Sequence, residues 1–310
     1  MKKMLKYHSM ICPLCKNKEG INALESWMKE DINYFIYQCP RCLLQLAFPM
    51  KQMSASGYES IEWYGVRWEF KETLNFLKNK KGTLLEIGCG KGFFLKKAME
   101  KGFIVTGIDI NSSAIKEAKE LGFDRVYPYT LEDFILTNPQ KKFDIVCLYH
   151  VLEHVENPID FILKTKKILK KDGYIVFSVP NPDRLAPSLL KRELWDYPPH
   201  HLTRWNETSI DFLLTKAGLE KVGYFKEPLS FVKSIEDVGS SLEAFLFSLI
   251  KKRDEENSKH LHKRYQWIKK IVKPILKLLL TPIGCFFYLL SKIKGLTGQA
   301  VLVIAKPSNQ

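Results

Sequence analysis

The sequence lacks several features that would set it apart from ordinary folded proteins. It has no internal repeat and no low-complexity tract, and its longest apolar stretch, 278–290, has 13 residues if Thr281 and Pro282 are admitted. A helix that crosses a bilayer needs about 20 such residues, so this stretch favours a core or interfacial helix. The first residues are basic but no apolar run follows them, and the sequence therefore predicts no secretory signal peptide.

Acidic residues are in short supply. The 310 residues include 34 Asp and Glu against 48 Lys and Arg, which gives a net charge of +14. The excess is concentrated in the segment 251–294, which contains twelve basic and three acidic residues. Such a balance favours anionic partners, among them nucleic acid, phosphorylated compounds and acidic lipid head groups.

The seven cysteines have no export signal to accompany them, which indicates a reducing, cytoplasmic compartment and favours metal binding over disulfides. Four of them form two C-x-x-C pairs with 23 residues between the pairs: Cys12, Cys15, Cys39 and Cys42. Four thiolates complete a closed tetrahedral zinc shell, so the pairs predict a structural zinc ribbon without catalysis at the metal. Two redox-active pairs are the alternative, but the βα context of such motifs is missing.

Strand-like and helix-like runs alternate from Thr83 onwards, which is typical of βαβ units and a parallel, doubly wound sheet. The segment 157–172 predicts a helix that ends before Gly173, and 220–225 predicts a weak strand. We therefore expect a ribbon-like module in 1–50, a linker and helical lead-in in 51–80, and an α/β domain formed by 81–227 and 297–310. A basic helical insertion, 228–296, separates the last strand from the rest.

The stretch LLEIGCGKGFFL, 84–95, turns a strand into a helix through glycines and has an acid two residues before the first one. Glycines let backbone approach a ligand at a helix start. A dinucleotide fingerprint would need glycine or alanine where Phe93 stands. Glu86 suits a cationic ammonium group, and Asp109, nineteen residues after Gly90, can accept both hydroxyls of a ribose.

These residues resemble the class I S-adenosylmethionine-dependent methyltransferases, of the ubiquinone-biosynthesis-like group. The resemblance implies a seven-stranded Rossmann-like sheet whose last strand runs antiparallel. It also implies that Glu86, Gly88 and Gly90 lie beside the methionine part of S-adenosylmethionine and that Asp109 binds the ribose. Ile110 would contact the adenine. A further stretch, Thr130, Leu131 and Glu132, would frame the adenine, and Leu148 would lie at the end of the fourth strand, near the sulfonium.

The stretch YHVLEHVENP contains His150, Glu153 and His154 at H-x-x-E-H spacing. A zinc peptidase would not need the upstream glycines and acids, so the stretch indicates the end of a methyltransferase strand. The resemblance also allows a divalent ion at these three residues. The alternative is a helix edge without a ligand.

A second histidine pair, His200 and His201, lies in DYPPHHLTRW, where relatives place loops that cover the substrate. If the acceptor is a hydroxyl, a base must remove its proton, and His150, His200 and His201 are the candidate catalytic bases. A buried histidine that ties the loop down is the competing interpretation.

We expect a methyltransferase that acts on a small-molecule, sugar or lipid-linked acceptor. An RNA methyltransferase is disfavoured, because the positive charge gathers beside an apolar segment and no base-methylating motif follows the fourth strand. A scaffold that binds the cofactor without turnover is the other alternative. The segment 251–294 predicts either peripheral contact with the acidic inner face of a membrane or a helical cap or dimer contact on the fold.

Overall fold

The computed structural model describes residues 10–29, 32–51, 65–184, 196–232, 234 and 273–308, with side chains in the last range described from residue 282. Parts of the predicted linker (52–64) and most of the predicted insertion (235–272) lie outside the described residues. The chain divides into two compact units. The first consists of Met1–Pro180, Trp195–Phe225 and Ala300–Gln310, and the second of Asn181–Leu194 and Lys226–Gln299.

A seven-stranded sheet dominates the first unit. Along the chain its strands are β4 (Gly82–Ile87), β5 (Phe103–Ile108), β6 (Val126–Tyr127), β7 (Phe143–Tyr149), β8 (Leu169–Pro180), β10 (Leu219–Lys226) and β11 (Ala300–Pro307). Their spatial order is β10-β11-β8-β7-β4-β5-β6. The pairs from β8 to β6 are parallel, whereas β11 runs antiparallel to β8. This confirms the predicted doubly wound sheet with an antiparallel last strand.

The connecting helices are α1 (Trp68–Phe76), α2 (Phe93–Glu100), α3 (Ser112–Glu120), α4 (Leu131–Thr137), α5 (Pro158–Lys167) and α6 (Glu207–Ala217). Asparagine or threonine side chains cap four of them, at Asn111, Thr130, Asn157 and Asn206. Each cap satisfies a backbone N–H that the first helical turn leaves without a partner. The predicted helix over 157–172 ends early, because Leu169 already pairs with Phe143 in the sheet.

A second, four-stranded sheet joins the cysteine module to a distant loop. It consists of β1 (Asn22–Lys29), β2 (Ile32–Gln38), β3 (Gln45–Phe48) and the short β9 (Thr203–Arg204), in that order. Within β3 and β9, Leu46 pairs with Thr203 and Gln45 with Arg204. The cysteine module is thus hydrogen-bonded to the stretch that directly follows the His200–His201 pair.

The second unit contains the helix α7 (Lys273–Ile293), which has a proline at position 282. In the same unit, the side-chain amide of Asn181 donates hydrogen bonds of 2.7 Å to the hydroxyl of Thr297 and to the carbonyl of Gly298. On the outside of α7, four apolar side chains are exposed at helical spacing: Ile283, Phe286, Leu289 and Ile293. Within the described part of the chain, we find no helix whose length and apolarity would suffice to span a membrane.

Candidate active site and metal-binding clusters

Three glycines shape the loop between β4 and α2. Gly88, Gly90 and Gly92 have φ angles of 75°, 50° and 82°, a region that glycine adopts without steric cost. At Gly88 an added Cβ atom would also lie 2.7 Å from a methyl carbon of Val151. The loop therefore presents bare backbone at the carboxyl edge of the sheet, where ligands bind in open parallel sheets.

Asp109 directly follows β5 and holds this loop to the neighbouring strand. Its Oδ2 accepts a hydrogen bond of 2.7 Å from the N–H of Gly90, and its Oδ1 accepts one of 2.8 Å from the N–H of Asn111. Burial raises the pKa of Asp109 above its ordinary value, and the two backbone hydrogen bonds oppose that rise. Each oxygen keeps a second lone pair, so Asp109 can accept ligand hydroxyls while it orders the loop.

Glu86, near the end of β4, is 3% exposed. Its Oε2 is buried and has no hydrogen-bond partner within the described part of the chain. Burial, together with the negative charge of Asp109, raises the pKa of Glu86 well above its ordinary value. A buried carboxyl group with an unsatisfied oxygen is costly, and a cationic ligand group would relieve that cost. The pair of Glu86 and Asp109 fits a ligand with an ammonium group and a hydroxylated sugar.

The other predicted cofactor residues differ in what the structure shows of them. Leu131 and Leu148 are buried in the core, and Ile110 is partly buried beside Asp109. Thr130 caps α4, and its hydroxyl lies 2.7 Å from a carboxylate oxygen of Asp133. The carboxylate of Glu132 lies on the surface, 2.8 Å from the amine of Lys164.

His150 lies at the end of β7 between two buried carboxylates. Its Nε2 is 2.7 Å from Oε1 of Glu69, in α1, and its Nδ1 is 3.1 Å from Oε1 of Glu153. These two hydrogen bonds raise the pKa of His150 although its burial acts to lower it. The residue has a φ of 53°, and a backbone in that region persists only where its surroundings enforce it. Here the N–H of His150 donates to the carbonyl of Ser178 at 3.1 Å.

Glu153 and His154 are part of a short 3-10 turn, Leu152–His154, rather than a long helix. The ring of His154 lies near those of His200 and His201, with centroid distances of 4.7 and 5.0 Å. His150 is not a member of this group, because both of its ring nitrogens contact carboxylates. The structure thus brings His154 together with the second histidine pair and not with His150.

The four N-terminal cysteines form a buried cluster, with Sγ–Sγ distances of 3.6 Å between Cys12 and Cys42 and 3.4 Å between Cys15 and Cys39. All are free thiols. A hydrogen bond from Cys42 lowers the pKa of Cys12 to about 5, whereas burial raises that of Cys15 to about 11. Zinc–sulfur bonds of about 2.3 Å in a tetrahedron place sulfurs about 3.8 Å apart, so the cluster nearly has the required geometry.

Two residues of the site had no signal in the sequence. Glu69 belongs to a stretch interpreted only as a helical lead-in, and Asp196 begins the loop that carries His200 and His201. Asp196 is buried, and its Oδ1 lies 3.4 Å from Nδ1 of His201. Glu69 is distant in sequence from His150, and Asp196 reaches His201 across a loop. Only the folded chain therefore reveals these two contacts.

The chain resembles known proteins most clearly over this sheet. A family model described as a methyltransferase domain matches residues 64–223. The chain is 34% identical over 119 residues to a ubiquinone biosynthesis O-methyltransferase of Actinobacillus pleuropneumoniae, an alignment that covers 36% of this chain and 50% of that protein. A ubiquinone biosynthesis O-methyltransferase of Coxiella burnetii is 31% identical over 172 residues, covering 50% and 73%.

The chain spans about half the length of the first curated relatives it matches. Among solved structures, a SAM dependent methyltransferase from Archaeoglobus fulgidus aligns with 82% of this chain and 94% of its own, at 19% identity and a TM-score of 0.48.

Proposed function

The chain belongs to the methyltransferase-domain family, and on that premise we propose that it transfers a methyl group from S-adenosylmethionine to a hydroxyl group of a small-molecule acceptor. The observation that carries this proposal is the arrangement of Glu86, the glycine loop and Asp109. An unsatisfied buried carboxyl group and a second carboxylate flank a loop of exposed backbone. Those groups complement the ammonium and the ribose hydroxyls of S-adenosylmethionine.

Each residue has a defined task in this proposal. Glu86 would bind the ammonium group, the backbone of Gly88 and Gly90 would line the methionine part, and Asp109 would accept the ribose hydroxyls. S-adenosylmethionine supplies a methyl group that its positive sulfur already activates. The protein's main contribution is then to hold the acceptor in line with that methyl group.

A hydroxyl acceptor must lose its proton during the transfer, and we assign that proton to His150. Both ring nitrogens of His150 contact carboxylates, Oε1 of Glu69 at 2.7 Å and Oε1 of Glu153 at 3.1 Å. The acceptor hydroxyl would therefore replace one of these contacts when it delivers its proton, and the other carboxylate would stabilise the resulting imidazolium. About a fifth of the His150 side chain is exposed, so an acceptor can reach it. A base with a pKa near the working pH suits this step.

The class of acceptor that we propose is supported by the relatives, which are named as O-methyltransferases of ubiquinone biosynthesis. We propose a hydroxylated aromatic compound, free or attached to a lipid. The test combines calorimetry of S-adenosylhomocysteine and of NAD with transfer of a labelled methyl group to a panel of catechols, sugars and tRNA. Binding of S-adenosylhomocysteine alone and labelling of catechols are expected. Binding of NAD, or labelling of tRNA only, would contradict the proposal.

We also propose that the four-cysteine cluster holds a structural zinc ion. The support is the burial of all four thiols and the Sγ–Sγ distances between the two C-x-x-C pairs, 3.6 Å from Cys12 to Cys42 and 3.4 Å from Cys15 to Cys39. A zinc ion with four protein ligands has no open coordination position, so its role would be to fold the ribbon. The ribbon in turn pairs with β9 beside the histidine loop.

For the second unit we propose contact with an acidic membrane surface through α7. Its exposed stripe includes Phe286, 61% exposed, and Ile293, 83% exposed, and the exposed Lys292 and Lys294 lie at the same end of the helix. An amphipathic helix with lysines beside its apolar stripe binds at the interface of anionic lipids. Residues 251–272 of the basic segment lie outside the described residues. Such contact would bring the enzyme to a lipid-linked acceptor.

A further inference from the structure

Three imidazole rings meet where two segments of the first unit come together. His154 ends the 3-10 turn after β7, while His200 and His201 come from the loop before β9. The ring centroids are 4.7 to 5.0 Å apart, and one ligand-capable atom from each residue lies within 4.8 Å of the others. All three residues are partly exposed, so an ion from solvent can reach them.

The hydrogen bonds around the cluster are those of metal-bound histidines. The Nδ1 of His154 donates to the carbonyl of His200 at 2.5 Å, and the Nδ1 of His201 lies 3.4 Å from the buried carboxylate of Asp196. Histidines that bind metals almost always direct their second ring nitrogen at a carbonyl or carboxylate, which fixes the tautomer. In both residues this leaves the lone pair on Nε2.

The charges in this region also favour a cation. Glu153 is fully buried, and its Oε2 has no hydrogen-bond partner in the described part of the chain. Its Oε1 lies 4.0 Å from Nε2 of His201. Imidazole nitrogens beside a buried carboxylate offer lone pairs to a cation and leave negative charge for it to balance.

We propose that His154, His200 and His201 bind one divalent transition-metal ion, in a site whose ligands are distinct from the four cysteines. Imidazole ligands suit zinc and its first-row neighbours. Zinc–nitrogen bonds of about 2.0–2.1 Å require nitrogens roughly 3.4 Å apart, so modest rotations of the rings complete the site. Three protein ligands leave one coordination position open to water or another oxygen ligand, unlike the closed cysteine site.

The measurement is the zinc content per chain, determined by elemental analysis after zinc saturation and gel filtration into metal-free buffer. His200→Ala and His201→Gln are expected to contain one zinc ion fewer than the wild type. His150→Ala is the matched control and should keep the wild-type content, because its ring nitrogens contact Glu69 and Glu153. Thermal melting of each variant checks that it is folded.

Cobalt substitution gives a second readout that needs neither cofactor nor acceptor and therefore stands apart from the methyl-transfer proposal. Compared with the cobalt-substituted wild type, His200→Ala should lose part of the visible d–d absorption, while its thiolate-to-cobalt charge-transfer bands stay unchanged. Equal zinc content in His200→Ala and the wild type would overturn the proposal. Loss of the ion in His150→Ala but not in His200→Ala would overturn it as well, in favour of a site at His150, Glu153 and His154.

Discussion

The N–H of Ala47, in β3 of the cysteine module, donates a hydrogen bond of 2.8 Å to the carbonyl of Leu202, the residue after the histidine pair. The N–H of Leu202 in turn donates to the carbonyl of Glu153, also at 2.8 Å. A short hydrogen-bonded path thus runs from the ribbon through the histidine loop to the turn that holds Glu153. The integrity of the ribbon should therefore govern the order of the candidate site.

Removal of the proposed zinc ion from the cysteine cluster should loosen the histidine loop. Small metal-bound modules lose their fold when the metal is removed, so the pairing of β3 with β9 should be lost. Hydrogen exchange before and after chelation measures this, and Cys39→Ser is the decisive arm because a chelator would also remove an ion from the proposed histidine site. We expect exchange of the amides of Ala47 and Leu202 to accelerate at least tenfold, and Cys39→Ser to have the same effect without chelator.

The amides of β7, which are buried in the main sheet, are the internal control and should stay protected. Rapid exchange confined to 10–51, with the amide of Leu202 as slow as before, would show that the loop is held by the main sheet alone. The coupling would then be absent.

Replacement of Glu69 should lower the pKa of His150. Three charged groups face this ring: Glu69 and Glu153 raise its pKa, and Arg67 lowers it. In Glu69→Gln one of the two carboxylates is lost, so we expect NMR titration to give a lower pKa for His150 than in the wild type. Methyl transfer should become half-maximal at a correspondingly lower pH. An unchanged titration would rule out the contact between these side chains.

The same variant makes a prediction about stability. Because the pKa of His150 is raised in the folded state, its contribution to stability is fully present below the unfolded value and is lost as pH rises through the folded value. Glu69→Gln should therefore cost about 1–3 kcal/mol of unfolding free energy at acidic pH, and less at alkaline pH. Urea unfolding on both sides of the histidine range measures the difference. Glu132→Gln, at an exposed ion pair with Lys164, is the control and should show little change.

The stripe on α7 should govern binding to acidic vesicles. Replacement of Phe286 and Ile293 by serine removes two of its exposed apolar side chains, so co-sedimentation with anionic vesicles should fall several-fold. Leu136→Ser is a matched control, because Leu136 is equally exposed on a helix of the first unit. Equal pelleting of all three proteins, or equal pelleting with neutral vesicles, would refute the membrane contact.

Much of the main sheet could be predicted from local patterns. Buried strands such as β7 are apolar runs in the sequence. The glycine loop and its acids carried the family resemblance, and that resemblance implied the seven-stranded sheet with its antiparallel last strand. The predicted end of the helix, before Gly173, was wrong: the helix ends at Lys167, because pairing of Leu169 in the sheet overrides its local helical pattern.

The histidine arrangement could not be predicted, because it depends on contacts between remote segments. The spacing of His150, Glu153 and His154 suggested one ligand set, but Glu69 lies 81 positions before His150 and occupies its Nε2. His200 and His201 lie beside His154 where the N–H of Leu202 donates to the carbonyl of Glu153. The two-residue strand β9 that follows has no sequence pattern of its own. Only the folded chain separates the proposed base from the candidate metal ligands.

Calorimetric titration of S-adenosylhomocysteine into the wild type, Asp109→Ala and Asp160→Ala tests the central claim most directly. Asp160 is a half-exposed carboxylate on α5, paired with Lys164, and serves as the control. The account predicts that Asp160→Ala binds like the wild type, while Asp109→Ala binds at least ~10-fold more weakly, since hydrogen bonds to a charged group contribute about 1.5–3 kcal/mol. Equal affinity of all three proteins, with Asp109→Ala shown to be folded by circular dichroism, would contradict it.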